Sequence, residues 1–337
     1  MQTTMNQEPI LEVRDLHKAF DLPLGMLQTI LRHKKEIVTA VDGVAFKVAR
    51  GETLGIVGES GCGKTTLLRC IARLYQPDKG EILFEGRDIL QMNPGDMRQE
   101  RRKIQVVFQD PYSSLNPRMT VGQILGEILN VHNIVSPGER KQRQEELLDM
   151  VGMNTDALKR LPAQFSGGQR QRIGIARALA MEPTVLLADE PVSALDVSIQ
   201  AQVINLLMDL KQRLNLTMIF ITHDLRVVRH VSDRIAVMYL GKIMEIGPTR
   251  RIFSNPRHPY TRALLAAAPE LDPTIRTEIS AIQGDPPSPI HIPSGCRFHP
   301  RCDLAVESCK VGIPPLTEVE SNHFAACPIT ARELQTQ

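Results

Sequence analysis

Two features are missing from this sequence of 337 residues: a long uncharged apolar run and a marked excess of charge of one sign. No apolar stretch approaches the roughly 20 residues of a membrane-spanning helix, and the first residues, MQTTMNQEPILEVRD, carry acidic side chains where a secretory signal needs an apolar core. We therefore expect a chain that stays in the cytosol. The 40 basic and 38 acidic residues nearly balance, so composition does not call for a nucleic-acid partner.

Cysteine is also scarce, with six residues in the whole chain. Disulfides are not expected in a cytosolic protein, so these cysteines are interpreted as packing residues, metal ligands or catalytic groups. Cys62, in a glycine-rich loop, and Cys70, in the helix predicted after it, are interpreted as packing residues. The other four follow Pro269, where the composition becomes rich in proline. We therefore predict one domain over 1–268 and an extension over 269–337.

The apolar pattern between these ends predicts an α/β fold. Short strands over 10–57 precede a glycine-rich loop, and the following helix is expected to bury Leu67, Leu68, Ile71 and Leu74 on one face. Strand and helix alternate again through TVLLADE, IQAQVINLLMDLKQRL, TMIFITHD and RIAVMYLG. This order is typical of a parallel sheet with crossover helices. A polar, helical stretch over about 111–181 is predicted to be an insertion into that sheet.

The segment GESGCGKTT at 58–66 matches G-x-x-x-x-G-K-[ST], and it lies between an apolar strand and a predicted helix. Its glycines let backbone N–H groups surround phosphate oxygens, Lys64 can reach the β- and γ-phosphates, and the Thr65 hydroxyl can coordinate magnesium. The sequence therefore predicts a nucleoside triphosphate site. Its residues are Gly58, Ser60, Gly61, Gly63, Lys64, Thr65 and Thr66.

A pair of carboxylates follows a later apolar run, VLLADE. Such a strand is expected to be buried, with its carboxyl end open to the nucleotide. Asp189 is then predicted to hold magnesium, usually through water. Glu190 is predicted to orient or deprotonate the water that attacks the γ-phosphate.

A second glycine loop, FSGGQ at 165–169, precedes another predicted helix. Ser166 is suited to cap that helix, and Ile173, Ala176, Leu179 and Ala180 form an apolar stripe behind it. A helix start beside glycines is a second anion site. Because the first loop already accounts for one nucleotide, we predict that this loop contacts the γ-phosphate of ATP held by another chain. An ordinary serine-capped helix is the alternative. The predicted contacts are Ser166, Gly167, Gly168 and Gln169.

The order GESGCGKT, VFQDP, FSGGQ, VLLADE, SALD and ITHD resembles the ATPase subunits of ATP-binding cassette (ABC) transporters over about residues 10–268. The resemblance implies a P-loop fold with an antiparallel β subdomain and a helical subdomain. It implies that Gln109 contacts magnesium and the attacking water, that Asp196 crosses a dimer interface, and that His223 holds the γ-phosphate. Phe20 is placed like the aromatic residue that stacks on adenine. Phe165 replaces the usual leucine of the family's signature.

Longer segments, including FQDPYSSLNPRMTVGQIL and NPRHPYTRALLAAAPELDP, look like the ATPase subunits of dipeptide and oligopeptide importers. PVSALDVSIQAQ is similar to the second of the two ATPases in such systems. The resemblance implies a heterodimer of ATPases on the cytoplasmic face of the inner membrane, two permeases and an extracytoplasmic binding protein. Nickel or glutathione import, and a soluble cassette ATPase acting on nucleic acid or ribosomes, are the alternatives.

The four late cysteines are Cys296, Cys302, Cys309 and Cys327. Four thiolates suit zinc or an iron–sulfur cluster, although neither the C-x-x-C pairs of zinc sites nor the short ferredoxin spacing is present. Resemblance to some peptide-importer ATPases favours a [4Fe-4S] cluster over zinc. Unligated thiols and a redox switch remain open. His291, His299 and His323 could substitute as ligands, but they are expected to be exposed.

Overall fold

The structure is a computed structural model that describes residues 8–22, 36–110, 115–267, 284–285 and 287–330. The chain divides into two compact units. The helical unit consists mainly of Gln91–Thr222 with Val48–Thr53, and the phosphate-loop unit consists of Pro9–Lys47, Leu54–Leu90 and the described residues from His223 onward. Within the described residues, no helix has the length and apolar character needed to cross a membrane.

The described strands and helices are numbered in chain order. The strands are β1 (Leu11–Asp21), β2 (Ile37–Val48), β3 (Thr53–Val57), β4 (Lys79–Phe84), β5 (Arg87–Asp88), β6 (Ile104–Val107), β7 (Val185–Asp189), β8 (Thr217–Ile221), β9 (Arg234–Tyr239), β10 (Lys242–Pro248), β11 (Thr317–Glu320) and β12 (His323–Ala325). The α-helices are α1 (Lys64–Ile71), α2 (Pro94–Lys103), α3 (Val121–Val131), α4 (Arg140–Met150), α5 (Gly167–Leu179), α6 (Val197–Leu214), α7 (Leu225–Val231), α8 (Thr249–Ser254), α9 (Pro259–Ala266) and α10 (Ser308–Val311). Short 3₁₀ turns lie at Thr155–Lys159, Pro162–Gln164 and His299–Arg301.

The helical unit contains the parallel strands β6, β7 and β8 in that order. Every residue of β7 and β8 is buried, which is the pattern of strands covered on both faces. Helix α5 contacts α3, α4 and α6, so the second glycine loop begins on a packed helix. Because parallel strands end at one edge of a sheet, the residues that follow β6 and β7 emerge together.

The phosphate-loop unit contains two groups of strands. One is a four-stranded sheet in the order β2-β1-β4-β5, in which β1 and β4 are antiparallel. In the other, β3 pairs in parallel with β9, and β9, β10, β12 and β11 continue as antiparallel neighbours. The hairpin of β11 and β12 therefore adds residues of the predicted extension to the edge of β10.

The predicted apolar face of α1 is correct for Leu67, Leu68 and Ile71, which are fully buried, and wrong for Leu74, which is 52% exposed. Helix α1 ends at Ile71, and Arg73 takes a left-handed backbone with φ 51°. The helix has therefore ended before Leu74, and the helical period no longer applies there. The domain boundary at 268 and the limits of the helical insertion stay predictions.

Candidate nucleotide-binding site

The phosphate loop connects β3 to α1 and encloses the Lys64 side chain. The Lys64 ammonium donates to the carbonyl oxygens of Gly58 at 2.8 Å and Glu59 at 2.9 Å, and it lies 3.8 Å from the Cys62 sulfur. Lys64 is only 5% exposed. A buried ammonium with three donors is a strong attractor of phosphate oxygens.

Two glycines of this loop are required by space and by backbone conformation. A Cβ atom on Gly58 would lie 2.0 Å from the Met238 carbonyl oxygen, and one on Gly63 would lie 1.9 Å from the Ala40 carbonyl oxygen. Gly63 also has φ 105° and is the N-cap of α1. Among the described residues no side chain caps this helix, so its first-turn N–H groups are directed at the loop.

Residues far along the chain support the back of the loop. The Glu59 N–H donates to the Tyr260 hydroxyl at 3.0 Å, and the Gly241 N–H donates to the Cys62 carbonyl at 2.8 Å. Burial raises the pKa of the Cys62 thiol, and Cys70 is also buried. Both cysteines lie among packed residues, as predicted.

Two further predicted residues belong to the phosphate-loop unit. Phe20 is half-buried. Its ring centroid lies 5.4 Å from that of Tyr75 in an edge-to-face arrangement, and the Lys18 ammonium lies 5.2 Å from the Phe20 centroid. His223 is exposed and precedes Asp224, whose pKa is lowered by hydrogen bonds from Arg226. Neither the adenine-stacking role nor the γ-phosphate role is tested by these contacts.

The helical unit holds the carboxylate pair at the end of β7. Asp189 is 3% exposed, and Glu190 has φ 45°, a left-handed conformation that costs energy in a residue with a side chain. The Glu190 N–H donates to the Ile221 carbonyl at 3.0 Å, which fixes this turn to the end of β8. Strained backbone of this kind concentrates at functional sites.

Gln109 follows β6, in which Val107 pairs with Ala188 of β7. Gln109 is exposed and lies just beyond the edge from which Asp189 emerges. The neighbouring Phe108 carbonyl accepts a bond from the Gln171 side chain at 3.4 Å. The structure thus brings Gln109, Asp189 and Glu190 to one edge of the helical unit's sheet.

The second glycine loop is closed by a reciprocal capping box. The Ser166 hydroxyl accepts from the Gln169 N–H at 3.3 Å, and the Gln169 side-chain oxygen accepts from the Ser166 N–H at 3.1 Å. The predicted cap of α5 and its buried stripe are therefore present. Phe165 is buried beneath the Arg160 guanidinium, 4.3 Å from the ring centroid. A large apolar side chain therefore fills this position.

The start of α5 packs closely on the first turn of α6. A Cβ atom on Gly168 would lie 2.3 Å from the Ile199 side chain, so any larger residue there would force Ile199 to move. Asp196 is the exposed N-cap of α6, and Val197 is 82% exposed. The second glycine loop and Asp196 therefore share one exposed face of the helical unit.

The four late cysteines gather in the phosphate-loop unit. Cys296 and Cys309 belong to one buried cluster, and Cys302 packs against it. Burial, with repulsion from Cys309 and Cys327, raises the pKa of Cys296, and burial raises the pKa of Cys302 to about 11. Over the described part of the chain, however, no three His, Cys, Asp or Glu side chains are grouped closely enough to hold a metal ion.

The expectation that all three nearby histidines are exposed is wrong. His291 is exposed and His299 is half-buried, but His323 is fully buried, with its Nε2 at 2.7 Å from Glu245. Glu245 also accepts the N–H groups of Arg257 and His258. A polar side chain inside the core is stable because this buried carboxylate partners it.

Sequence reasoning missed the residues that support the phosphate loop from behind. Tyr260 contacts Glu59 across 201 residues, and Arg301 contacts Glu59 across 242 residues. No local period or motif links such positions. The only available signal was the position of Arg301 between Cys296 and Cys302, inside the segment already selected for its thiols.

A glycine loop around a buried lysine, and a carboxylate pair at the end of a buried parallel strand, define a P-loop nucleotide hydrolase. Two solved structures share the fold. The dimeric ATP-binding cassette MJ0796, in a post-hydrolysis state with ADP and Pi, is 30% identical, with a TM-score of 0.61 over 71% of this chain and 99% of that one. The cbiO1 subunit of Clostridium perfringens is 28% identical, with a TM-score of 0.61 over 74% and 92%.

Residues 41–193 match the ABC transporter family, and residues 244–309 match the C-terminal region of oligopeptide/dipeptide transporters. The oligopeptide transport ATP-binding protein AppF of Bacillus subtilis is 52% identical over 96% of this chain and 98% of its own length. The dipeptide transport ATP-binding protein DppF of Haemophilus influenzae is 47% identical over 95% and 96%. The chain belongs to the ABC transporter family, as one of its ATP-binding proteins, and it is an ATPase.

Proposed function

We propose that this chain is the ATP-hydrolysing subunit that drives a membrane importer of dipeptides or oligopeptides. The observation that carries the proposal is its similarity to AppF and DppF over nearly the whole chain, including the extension. A soluble ATPase acting on nucleic acid or ribosomes is not favoured, because the C-terminal region matches that of oligopeptide/dipeptide transporters. Nickel and glutathione are the competing solutes.

In the phosphate-loop unit, the loop is proposed to bind the triphosphate of ATP. The backbone N–H groups before α1 and the buried Lys64 ammonium suit phosphate oxygens. Thr65 and Thr66 lie in the first turn of α1, where the Thr65 hydroxyl is proposed as a magnesium ligand. His223 is proposed to hold the γ-phosphate, and Phe20 to stack on adenine.

In the helical unit, the edge formed by Gln109, Asp189 and Glu190 is proposed to carry the hydrolytic chemistry. Carboxylate and amide oxygens suit magnesium, so Gln109 and Asp189 are proposed as its ligands. Glu190 is proposed to take a proton from the attacking water. The turn held by the Ile221 carbonyl keeps the Glu190 backbone in one conformation, which positions that carboxylate.

The face that carries the second glycine loop and Asp196 is proposed to meet a second ATPase. Ser166 and Gln169 are exposed, and Val197, which follows Asp196, is an exposed apolar residue. We propose that the partner is a different ATPase and that the γ-phosphate of the ATP it holds contacts the start of α5. Hydrolysis of that ATP would remove the contact. The helical region around 109–129 is proposed to pass the movement to two permeases, which an extracytoplasmic binding protein supplies with solute.

The four gathered cysteines are proposed to hold a [4Fe-4S] cluster, with zinc as the competing metal. Their common neighbourhood in one unit supports the proposal. Among the described residues, the four thiols do not lie close enough together in space to form a metal-binding group. No step of the reaction is therefore assigned to a cluster. An absorption spectrum and metal analysis of the anaerobically purified chain distinguish iron–sulfur, zinc and free thiols.

Purification of the tagged chain from membranes tests the transport proposal. We expect a second ATPase and two permeases to co-purify, and reconstituted vesicles to accumulate dipeptides or oligopeptides when ATP is present. Membranes that carry the untagged chain are the control. A chain recovered alone or on ribosomes, or vesicles that accumulate nickel or glutathione but no peptide, would overturn the assignment.

Replacing Glu190 tests the catalytic edge separately. Because a general base contributes about 10²- to 10⁴-fold, Glu190→Gln should lower ATP turnover by about that factor and leave ATP binding intact. Glu145→Gln, at a solvent-facing carboxylate of α4, is the matched control. Equal turnover in Glu190→Gln and the control would exclude Glu190 as the base.

A further inference from the structure

Glu59 is a negatively charged residue inside the phosphate loop, next to Gly58. Its carbonyl accepts from Lys64 at 2.9 Å, and its N–H donates to Tyr260 at 3.0 Å. Its carboxylate is therefore carried on a stretch of backbone that is itself part of the proposed phosphate site. An uncompensated carboxylate at this position would repel the phosphates of ATP.

Arg301, from the cysteine-containing extension, provides the compensating charge. Its Nη1 lies 3.0 and 2.9 Å from the two carboxylate oxygens of Glu59, and 3.2 Å from the Tyr239 hydroxyl. The Arg301 side chain is only 8% exposed. A charge-assisted bond at this degree of burial is less screened than a surface pair.

Packing holds this arginine in place. Arg301 ends the 3₁₀ turn His299–Arg301, which follows Phe298 directly. The Phe298 ring lies 5.5 Å from that of Tyr239 and 5.2 Å from that of Tyr260. The same two tyrosines that contact Glu59 and Arg301 therefore also anchor the segment that carries Arg301.

A second arginine of the extension secures the neighbouring backbone. Arg297 is buried, and it donates to the Leu240 carbonyl and to Asp42. The residue after Leu240 is Gly241, whose N–H donates to the Cys62 carbonyl of the phosphate loop at 2.8 Å. The extension thus contacts the loop directly through Arg301 and is fixed close by through Arg297.

We propose that Arg301 is a positioning residue for ATP binding: it neutralises Glu59 and holds the phosphate loop in shape. The cysteine-containing extension is then a working part of the nucleotide site. The inference rests on the proposed role of the phosphate loop as the ATP site. It predicts that the extension sets ATP affinity rather than the rate of the chemical step.

Fluorescent ATP-analogue titration and steady-state kinetics of the full-length chain provide the test. Arg301→Gln should raise the Kd and KM for ATP by about three- to ten-fold, between the effect of losing an exposed ion pair and that of losing a fully buried charged hydrogen bond, with kcat within two-fold of wild type. The double variant Glu59→Gln/Arg301→Gln should recover most of the affinity, since the repelling carboxylate is gone. Arg301→Lys, which keeps the charge, should bind ATP more tightly than Arg301→Gln.

Arg257→Gln is the matched control, because Arg257 forms a similar partly buried pair with Glu320 of the extension that does not touch the phosphate loop. It should leave ATP affinity unchanged. Equal weakening by Arg257→Gln, or no recovery in the double variant, would show that Arg301 has only a general structural role.

A Lys64→Ala variant distinguishes a failure of the Arg301 inference from a failure of the phosphate-loop assignment. If Lys64→Ala weakens ATP binding and Arg301→Gln does not, the inference about Arg301 is wrong and the phosphate-loop assignment stands. If Lys64→Ala leaves ATP affinity unchanged, the loop assignment itself fails.

Discussion

The phosphate loop at 58–66 and the second glycine loop at 165–169 both place glycines before a helix, but they use their polar groups differently. At the first loop, glycine is the N-cap and the buried Lys64 provides a positive charge. At the second loop, Ser166 and Gln169 bond to each other and satisfy the helix start. The first helix start therefore has a buried positive charge and no side-chain cap, whereas the second is already capped by its own side chains, and only the first fits the proposed triphosphate site without rearrangement of a cap.

The largest expected effect concerns backbone space in the phosphate loop. Gly58→Ala should destabilise the chain by roughly 3 kcal/mol or more, because its Cβ atom would lie 2.0 Å from a carbonyl oxygen. Gly61→Ala is the matched control: Gly61 has φ 76° but meets nothing within 4 Å, so it should cost only about 1 to 2 kcal/mol. Urea unfolding measures both. Equal losses would mean that φ alone, and not the contact with Met238, makes glycine necessary.

The second largest effect is expected from removing the Lys64 ammonium, the positive charge that the phosphate loop has and the second glycine loop lacks. Lys64→Ala should raise the Kd for ATP by about 100-fold, because an ammonium with charge-assisted bonds to phosphate is lost. Ser166→Ala should leave ATP binding by the isolated chain unchanged. Titration of each single chain with a fluorescent ATP analogue compares them, and a similar loss in both variants would remove the proposed difference between the loops.

Acid should weaken the phosphate-loop unit through His258. Burial lowers the pKa of His258 to about 4 from 6.5, while Glu245 acts to raise it and Arg262 to lower it. The unfolded chain takes up a proton below pH 6.5 and the folded chain resists it, so stability is complete above pH 6.5 and falls toward pH 4. The loss should reach about 2 kcal/mol at pH 5.

Urea unfolding at pH 7 and pH 5 measures this loss. His258→Asn is the control, because asparagine keeps a side-chain acceptor for the Tyr260 N–H that His258 now caps, but it does not titrate. This variant should show a smaller pH dependence. If the free energy of unfolding of His258→Asn falls between pH 7 and pH 5 as much as that of the wild type, groups other than His258 cause the acid sensitivity.

The smallest effect is expected at the cap of α5. Ser166→Ala should cost about 1 kcal/mol of stability, since it removes the acceptor of the Gln169 N–H. ATP turnover should also fall when the partner ATPase is present, because the proposed γ-phosphate contact is lost. Ser166→Thr, which keeps the hydroxyl, is the control. Turnover in the assembled pair, compared with urea unfolding of the single chain, separates the two roles.

The sequence predicted correctly those elements that depend only on residues close together in the chain. The phosphate loop, the cap by Ser166 and the buried strand that ends at Asp189 each follow from adjacent residues. The exposure of Leu74 was not predictable from period alone, because a left-handed Arg73 ends the pattern. The burial of His323 was also missed, since its partner Glu245 lies 78 residues away.

The amino-acid sequence alone determined the nucleotide chemistry of this protein, because glycine spacing, the lysine and the carboxylate pair act over a few residues. Only the tertiary structure decided that the cysteine-containing extension supports the phosphate loop. That support depends on an arginine and a glutamate 242 residues apart, which meet because buried aromatic rings bring their segments together. Hydrophobic burial has no sequence period over such a distance, so a contact of this kind is determined by the folded core.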